Sequence, residues 1–218
     1  IPSQRNFAQH DIPLKHRWVF HLDADEKLTP ALAAECREAA REAIFDGYYV
    51  APKMLWRGHW IPRCTDFPAY QARFVRVPVF RFVQVGHGQR ESDGMRMGYL
   101  AENYYHELAG GGDTEWLEKH RRYARAEVRE HLASTSRPGW RDLWASDHLQ
   151  RRRALKHLSY SLPARPMLRF FYQYLFRRGF LDGACGLHYC RLLFRYEGFV
   201  ADEFRIQRLE SAARLSRG

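Results

Sequence analysis

Two carboxylates spaced two residues apart, Asp23 and Asp25, follow the apolar run Trp18-Val-Phe-His-Leu22. A short apolar run of this kind predicts a buried strand. Acids at a strand's carboxyl end lie where open α/β sheets bind their ligands. At this spacing the pair can share a divalent cation and the phosphates that the cation bridges. Mg²⁺ and Mn²⁺ suit such a site, because both take oxygen ligands and usually keep substrate phosphates and waters in their shell. The same two acids could also do no more than open a turn before a helix.

The neighbouring residues say what must hold the pair in place. Thr29-Pro30 predicts a helix start, with Thr29 as N-cap and Pro at the first helical position. Leu32, Cys36, Ala39, Ala40 and Ala43 recur at helical spacing, and Asp46-Gly47 ends the helix. Residues 48–54 read as a strand, and Trp56-Arg-Gly-His-Trp60 as a loop. Strand character returns over 69–76, 79–85 and 97–105. Gly110-Gly-Gly112 marks a break, after which Asp113 or Thr114 caps a helix running to about Leu132. Strand, acidic turn, helix, strand is an α/β pattern. It predicts an α/β domain over 1–110 and a helical, basic region over 111–218. A phosphatase of the haloacid-dehalogenase type also sets Asp-x-Asp after an apolar strand, but wants Thr or Val two positions after the second acid. Lys27 stands there and argues against that chemistry.

With 218 residues, 45% hydrophobic and 15% aromatic, the chain is long and apolar enough to bury a sizeable core. No basic stretch followed by an apolar core opens it, so no signal peptide is expected. Cys36, Cys64, Cys185 and Cys190 form no CxxC pair and no zinc-like spacing, so free thiols in a reducing cytoplasm are expected. The formal net charge is +10, which suits an acidic partner or an inert basic surface. Residues 151–200 hold ten Lys or Arg and two acids, and so carry most of that surplus. The same stretch is rich in aromatics, yet Arg, His or Gly interrupts each apolar run before the roughly 18 residues that span a bilayer. Helices of this composition lie on a membrane surface or pack on a core with their Arg residues solvated.

Beyond these local signals, Trp18-Val-Phe-His-Leu-Asp-Ala-Asp-Glu-Lys-Leu-Thr-Pro30 resembles the Asp-x-Asp region of family 2 glycosyltransferases of the GT-A fold. Further segments match in order: Tyr70-Gln-Ala-Arg-Phe-Val-Arg76, Val85-Gly-His-Gly-Gln-Arg-Glu91, Tyr104-Tyr-His106, Trp116-Leu-Glu-Lys-His-Arg-Arg-Tyr123, and Phe180-Leu-Asp-Gly-Ala-Cys-Gly-Leu-His-Tyr189. The resemblance implies a truncated GT-A fold, a Rossmann-like mixed sheet followed by a mostly helical C-terminal region. About twenty residues precede Asp23, with Ser3-Gln-Arg-Asn-Phe7 resembling the short helix before that strand. The first nucleotide-binding strands are therefore expected to be missing, and the sequence leaves open whether the chain is active without them.

The activity implied is metal-assisted transfer of a sugar from a nucleotide-sugar donor to a hydroxyl of a lipid-linked or polysaccharide acceptor. In that scheme Asp25 ligates Mg²⁺ or Mn²⁺ and Asp23 contacts the donor ribose or a metal-bound water. Glu91 is the general base, with Glu26 as its rival. His106 is a further metal or diphosphate ligand, and His87 a weaker candidate. Arg73 and Arg90 offer their forks to donor phosphates. Trp56 and Trp60 flank Gly58 and stack on a sugar, or else are simply buried. The basic, aromatic tail points to the cytoplasmic face of the inner membrane, with anionic lipid as partner. No nucleic-acid-binding motif is present. The alternative is a non-catalytic basic module that binds anionic membrane or nucleic acid through Arg151, Arg152, Arg153, Arg177 and Arg178.

Overall fold

A computed structural model describes residues 2–77, 79–85, 88–133, 139–146, 148–160, 162 and 164–215. The chain divides into two compact units, residues 1–110 and 111–218. The fold is mixed α/β, with mixed sheets in the first unit and a helical second unit.

The first unit opens with helix α1 (Pro2–His10) and a short strand β1 (Trp18–Phe20). The chain then turns through the acids into β2 (Glu26–Lys27) and helix α2 (Pro30–Glu42). Thr29 caps α2 by accepting from the Leu32 N–H at 3.1 Å, which satisfies one of the donors left unpaired at any helix start. Leu32, Cys36 and Ala39 form the buried face of α2, and Ala43 ends it in a left-handed conformation. That face packs on Tyr48, Val50, Phe74, Leu100 and Tyr104 to make the main core.

The segment read as one strand over 48–54 is two: β3 (Gly47–Val50) and β4 (Pro52–Trp56). The strand expected over 97–105 is likewise split into β9 (Met97–Tyr99) and β10 (Tyr104–Glu107). The reason is architectural. One sheet has the order β1-β6-β3-β9, with β6 spanning Gln71–Arg76; the other has the order β2-β10-β4-β5, with β5 spanning His59–Trp60. The parallel pairs β3/β9 and β4/β10 pass from the first sheet into the second around Ala51 and residues 100–103. Side chains hold the joint. Asn103 donates to the Ala51 carbonyl at 3.0 Å, and the Glu35 carboxylate accepts from the N–H groups of Ala101 and Glu102 at 2.8 and 2.9 Å.

The stretch read as a loop, 56–60, is a hairpin between β4 and β5 (His59–Trp60). Arg57 and Gly58 both have positive φ, 50° and 78°, as two-residue hairpin turns require. Glu107 of β10 accepts from both turn N–H groups at 3.0 Å. Trp56 is 1% exposed within this hairpin, so it is a core residue and not a sugar platform; Trp60 stays half exposed. A separate ribbon pairs β7 (Phe82–Val85) with β8 (Gly88–Glu91) and carries Glu91 at its end. Asn6 of α1 brackets β7, exchanging bonds with the Phe82 backbone at 2.9 and 3.0 Å.

The second unit holds α3 (Gly112–Ala133), α4 (His148–Ser159), α5 (Arg165–Phe171) and α6 (Gly183–Leu215). A π-helical turn, Tyr172–Phe176, extends α5, and a 3-10 turn, Gly179–Asp182, precedes α6. Ala124 and Val128 of α3 meet Val200 of α6 in a small core. A polar cluster lies beside it. Glu127 accepts from the hydroxyls of both Tyr160 and Tyr196, and Arg165 pairs with Glu197 at 2.8 Å. Among the described residues, no helix is long and apolar enough to cross a membrane. No disulfide joins any of the four cysteines.

Candidate functional site

The acidic turn ties together three elements that sequence spacing alone does not connect. Asp23 sits just past β1 with its carboxylate 53% exposed. Arg73 of β6 reaches under it, donating to Asp23 at 3.1 Å, to Glu26 at 2.6 Å and to the His21 carbonyl at 3.1 Å. Arg5 of α1 approaches the other Asp23 oxygen at 3.5 Å. With its amide oxygen turned inward, Gln89 of β8 accepts from Arg5 at 2.7 and 3.0 Å. Arg5 thereby links Asp23 to the β7/β8 ribbon.

These contacts set the charges. Burial alone would raise the Asp23 carboxyl, but Arg73 and Arg5 beside it hold it below the ordinary carboxylate range. Glu26 goes the other way. Burial pushes it up, and the Asp23 N–H at 2.8 Å and Arg73 only partly offset that. Arg73 is raised despite its own burial, because Tyr104, Glu26 and Asp23 favour its charged form. His21 is pushed down to about 4 by burial, then by Arg5 and Arg73. Its neutral ring meets the Gln9 amide nitrogen at 2.7 Å.

Two expectations change here. Arg73, read as a phosphate contact, is 3% exposed and spends both ends of its fork on carboxylates. It acts as the counter-ion that fixes Asp23. Glu26, the rival base, is buried and held by Arg73 and a backbone N–H, so it faces no open space.

Asp23, Arg73, Arg90 and Glu91 line one cleft of about 840 Å³, together with Arg5, Tyr49 and Tyr70. The Tyr49 hydroxyl stands beside the Glu91 carboxylate; burial and then this carboxylate raise the Tyr49 pKa. Arg90 is exposed, with Asp93 at 3.4 Å. Tyr70 and Tyr99 meet edge to face at 4.9 Å, and the Tyr49 and Tyr99 rings lie tilted at 5.1 Å, so an aromatic rim stands beside Glu91. Tyr49 and Arg5 were not singled out from sequence. Only the pairing of β3 and α1 with distant strands brings them to this cleft.

Asp25 does not line the cleft but faces the second sheet, where its carboxylate lies 3.4 Å from His106 Nε2. The other ring nitrogen of His106 is 3.6 Å from Glu26. A carboxylate–imidazole pair whose imidazole is backed by a second carboxylate is a donor arrangement that cation sites use. Among the described residues, no group of three protein ligands is present. The two donors, Asp25 and His106, fit a cation that takes its remaining ligands from phosphate oxygens and water. His87 lies outside the described residues. No family model, curated protein or solved structure matches the chain.

Proposed function

We propose that the first unit carries the acceptor-side and cation-side residues of a GT-A glycosyltransferase of the family 2 type. Such an enzyme moves a sugar from a nucleotide-sugar donor to a hydroxyl of a lipid-linked or polysaccharide acceptor. One observation carries the reading. Asp23, at the end of β1, and Glu91, at the end of β8, converge on a single cleft, and Arg90 stands in its wall.

In this reading Glu91 takes the proton of the acceptor hydroxyl as that oxygen attacks the anomeric carbon. The Tyr49 hydroxyl stands beside the Glu91 carboxylate. Asp23, locked by Arg5 and Arg73, receives a donor ribose hydroxyl, and Arg73 is its positioning residue. Arg90 reaches a phosphate oxygen of the donor. Asp25 and His106 would hold Mg²⁺ or Mn²⁺, which when bound neutralises charge on the departing nucleoside diphosphate. The aromatic rim of Tyr49, Tyr70 and Tyr99 offers faces on which an acceptor sugar stacks.

The test separates binding from turnover. Titration with Mn²⁺ in the presence of a nucleoside diphosphate should show saturable binding that weakens about tenfold or more in Asp25→Ala. Equal Mn²⁺ binding by wild type and Asp25→Ala would sink the assignment, as would sugar transfer that survives that change. The second reading, a non-catalytic basic module on anionic membrane or nucleic acid, rests on the charge surplus of residues 151–200. Vesicle or RNA binding that ignores Mn²⁺, nucleotide and the acids would favour it.

A further inference from the structure

Helix α5 and the π turn that extends it carry an apolar stripe on the outside. Met167, Leu168, Phe171, Tyr172, Leu175 and Phe176 recur at three- and four-residue intervals, so they share one face. All six are exposed, Phe176 to 83%. Other side chains of the segment are drawn inward, among them the half-buried aromatics Phe170 and Tyr174. Gln173 is 1% exposed, and Arg165 is drawn in by Glu197 at 2.8 Å and Glu127 at 4.0 Å. An amphipathic helix of a globular protein ordinarily turns its apolar stripe to the core. This one leaves such a stripe exposed, although the element itself packs on α6. The stripe continues past Arg177 and Arg178. Phe180 and Leu181 of the following 3-10 turn are also exposed, and Phe180 sits against Tyr174 at 6.2 Å. An exposed apolar patch of this kind marks an interaction surface.

Charge identifies the occupant. No Asp or Glu occurs between Asp147 and Asp182, while eight Lys or Arg do. Arg178 is exposed between the apolar residues Phe176 and Phe180. A hydrophobic protein partner would be served by the stripe alone. Hydrocarbon beneath a layer of negative charge is served by both features, because aromatic side chains enter the acyl boundary while arginines stay at the headgroups. We infer that the outward face of α5 and its π turn, from Met167 to Leu181, docks on an anionic lipid bilayer. It lies in the interface plane without spanning. This surface belongs to the second unit and stands whatever the cleft of the first unit does.

The experiment is co-sedimentation of the 218-residue chain with two kinds of vesicle, phosphatidylcholine alone and phosphatidylcholine with phosphatidylglycerol. Wild type should bind the phosphatidylglycerol vesicles and bind the neutral ones much less. Phe171→Ser/Phe176→Ser and, separately, Leu168→Ser/Leu175→Ser should each weaken that binding by about tenfold or more, with the circular dichroism spectrum unchanged. Binding left intact by both double variants would overturn the inference, since charge alone would then account for it. So would absence of vesicle binding. So would wild-type self-association that the variants abolish while vesicle binding persists, because the stripe would then serve a second copy of the chain.

Discussion

Both units bury charge, and they put it to opposite ends. In the first unit the buried pair Arg73–Glu26 lies beneath an open cleft, and its fork surfaces as a half-exposed Asp23. The network there presents a charged group to solvent in a fixed orientation. In the second unit Glu127, Tyr160, Tyr196, Arg165 and Glu197 close on one another between helices. There the buried network holds one side of α5, and the surface it leaves outside is apolar. Burial of charge is a weak source of net stability but a strong constraint on geometry, because breaking one partner leaves the other uncompensated. The same physics therefore aims an acid in one unit and a hydrophobic stripe in the other.

Unfolding measurements put that contrast to the test. The largest effect should come from Arg73→Met, which strands the buried Glu26 carboxylate and should cost about 3 to 5 kcal/mol in urea unfolding. Arg73→Met/Glu26→Leu should recover most of the loss. A small cost for the single change would mean that Glu26 protonates and the pair does not aim Asp23. Arg165→Met should cost about 2 to 3 kcal/mol, because two carboxylates lose a partly buried cation. A cost under about 0.5 kcal/mol would show that the second network is not what holds α5.

Next in size is a pH effect confined to the first unit. The folded-state pKa of His21 is about 4, below the ordinary value of 6.5. Above 6.5 both folded and unfolded states are neutral at this ring. As the pH falls below 6.5 the unfolded chain takes the proton first, so stability is lost down to about 4 and then levels. Between pH 7 and pH 5 the loss should be about 2 kcal/mol. The raised Glu26 acts in the opposite direction near the acid end of that window. Comparison with His21→Asn isolates the histidine: a pH slope of the same size in that variant would remove His21 from the account. The smallest effect should be Phe176→Ser, within about 0.5 kcal/mol of wild type by the same unfolding measurement. A large loss there would mean that the side chain is part of the core, and the contrast between the two units would collapse.

Local chemistry was the legible part of the sequence. Thr29-Pro30 announces the start of α2, and the spacing of Leu32, Cys36 and Ala39 announces its buried face, because both signals lie within one helix. The split strands were not legible, since alternation says nothing about which sheet a strand joins, and Ala51 carries no mark of a crossing. The hairpin at Arg57-Gly58 was missed because Arg is an uncommon residue at a positive φ. In the site, the acids and Arg90 could be named from sequence, whereas the commitment of Arg73 could not. Its partners Asp23 and Glu26 are 50 and 47 residues away. The outward face of α5 was half legible. Periodicity reveals a stripe, but only packing reveals that Gln173 points in and Phe176 points out.

The joint between the two sheets gives the Asp-x-Asp spacing a different meaning. Asp23 is tied to the first sheet through Arg73 of β6, while the Asp25 carbonyl accepts from Glu107 of β10 in the second sheet at 3.0 Å. The two carboxylates are thus the jaws of a caliper. Ala24 alone bridges its opening, and the bend of the sheets sets its gauge. A change in that bend would alter the separation of the acids without moving either from its own sheet.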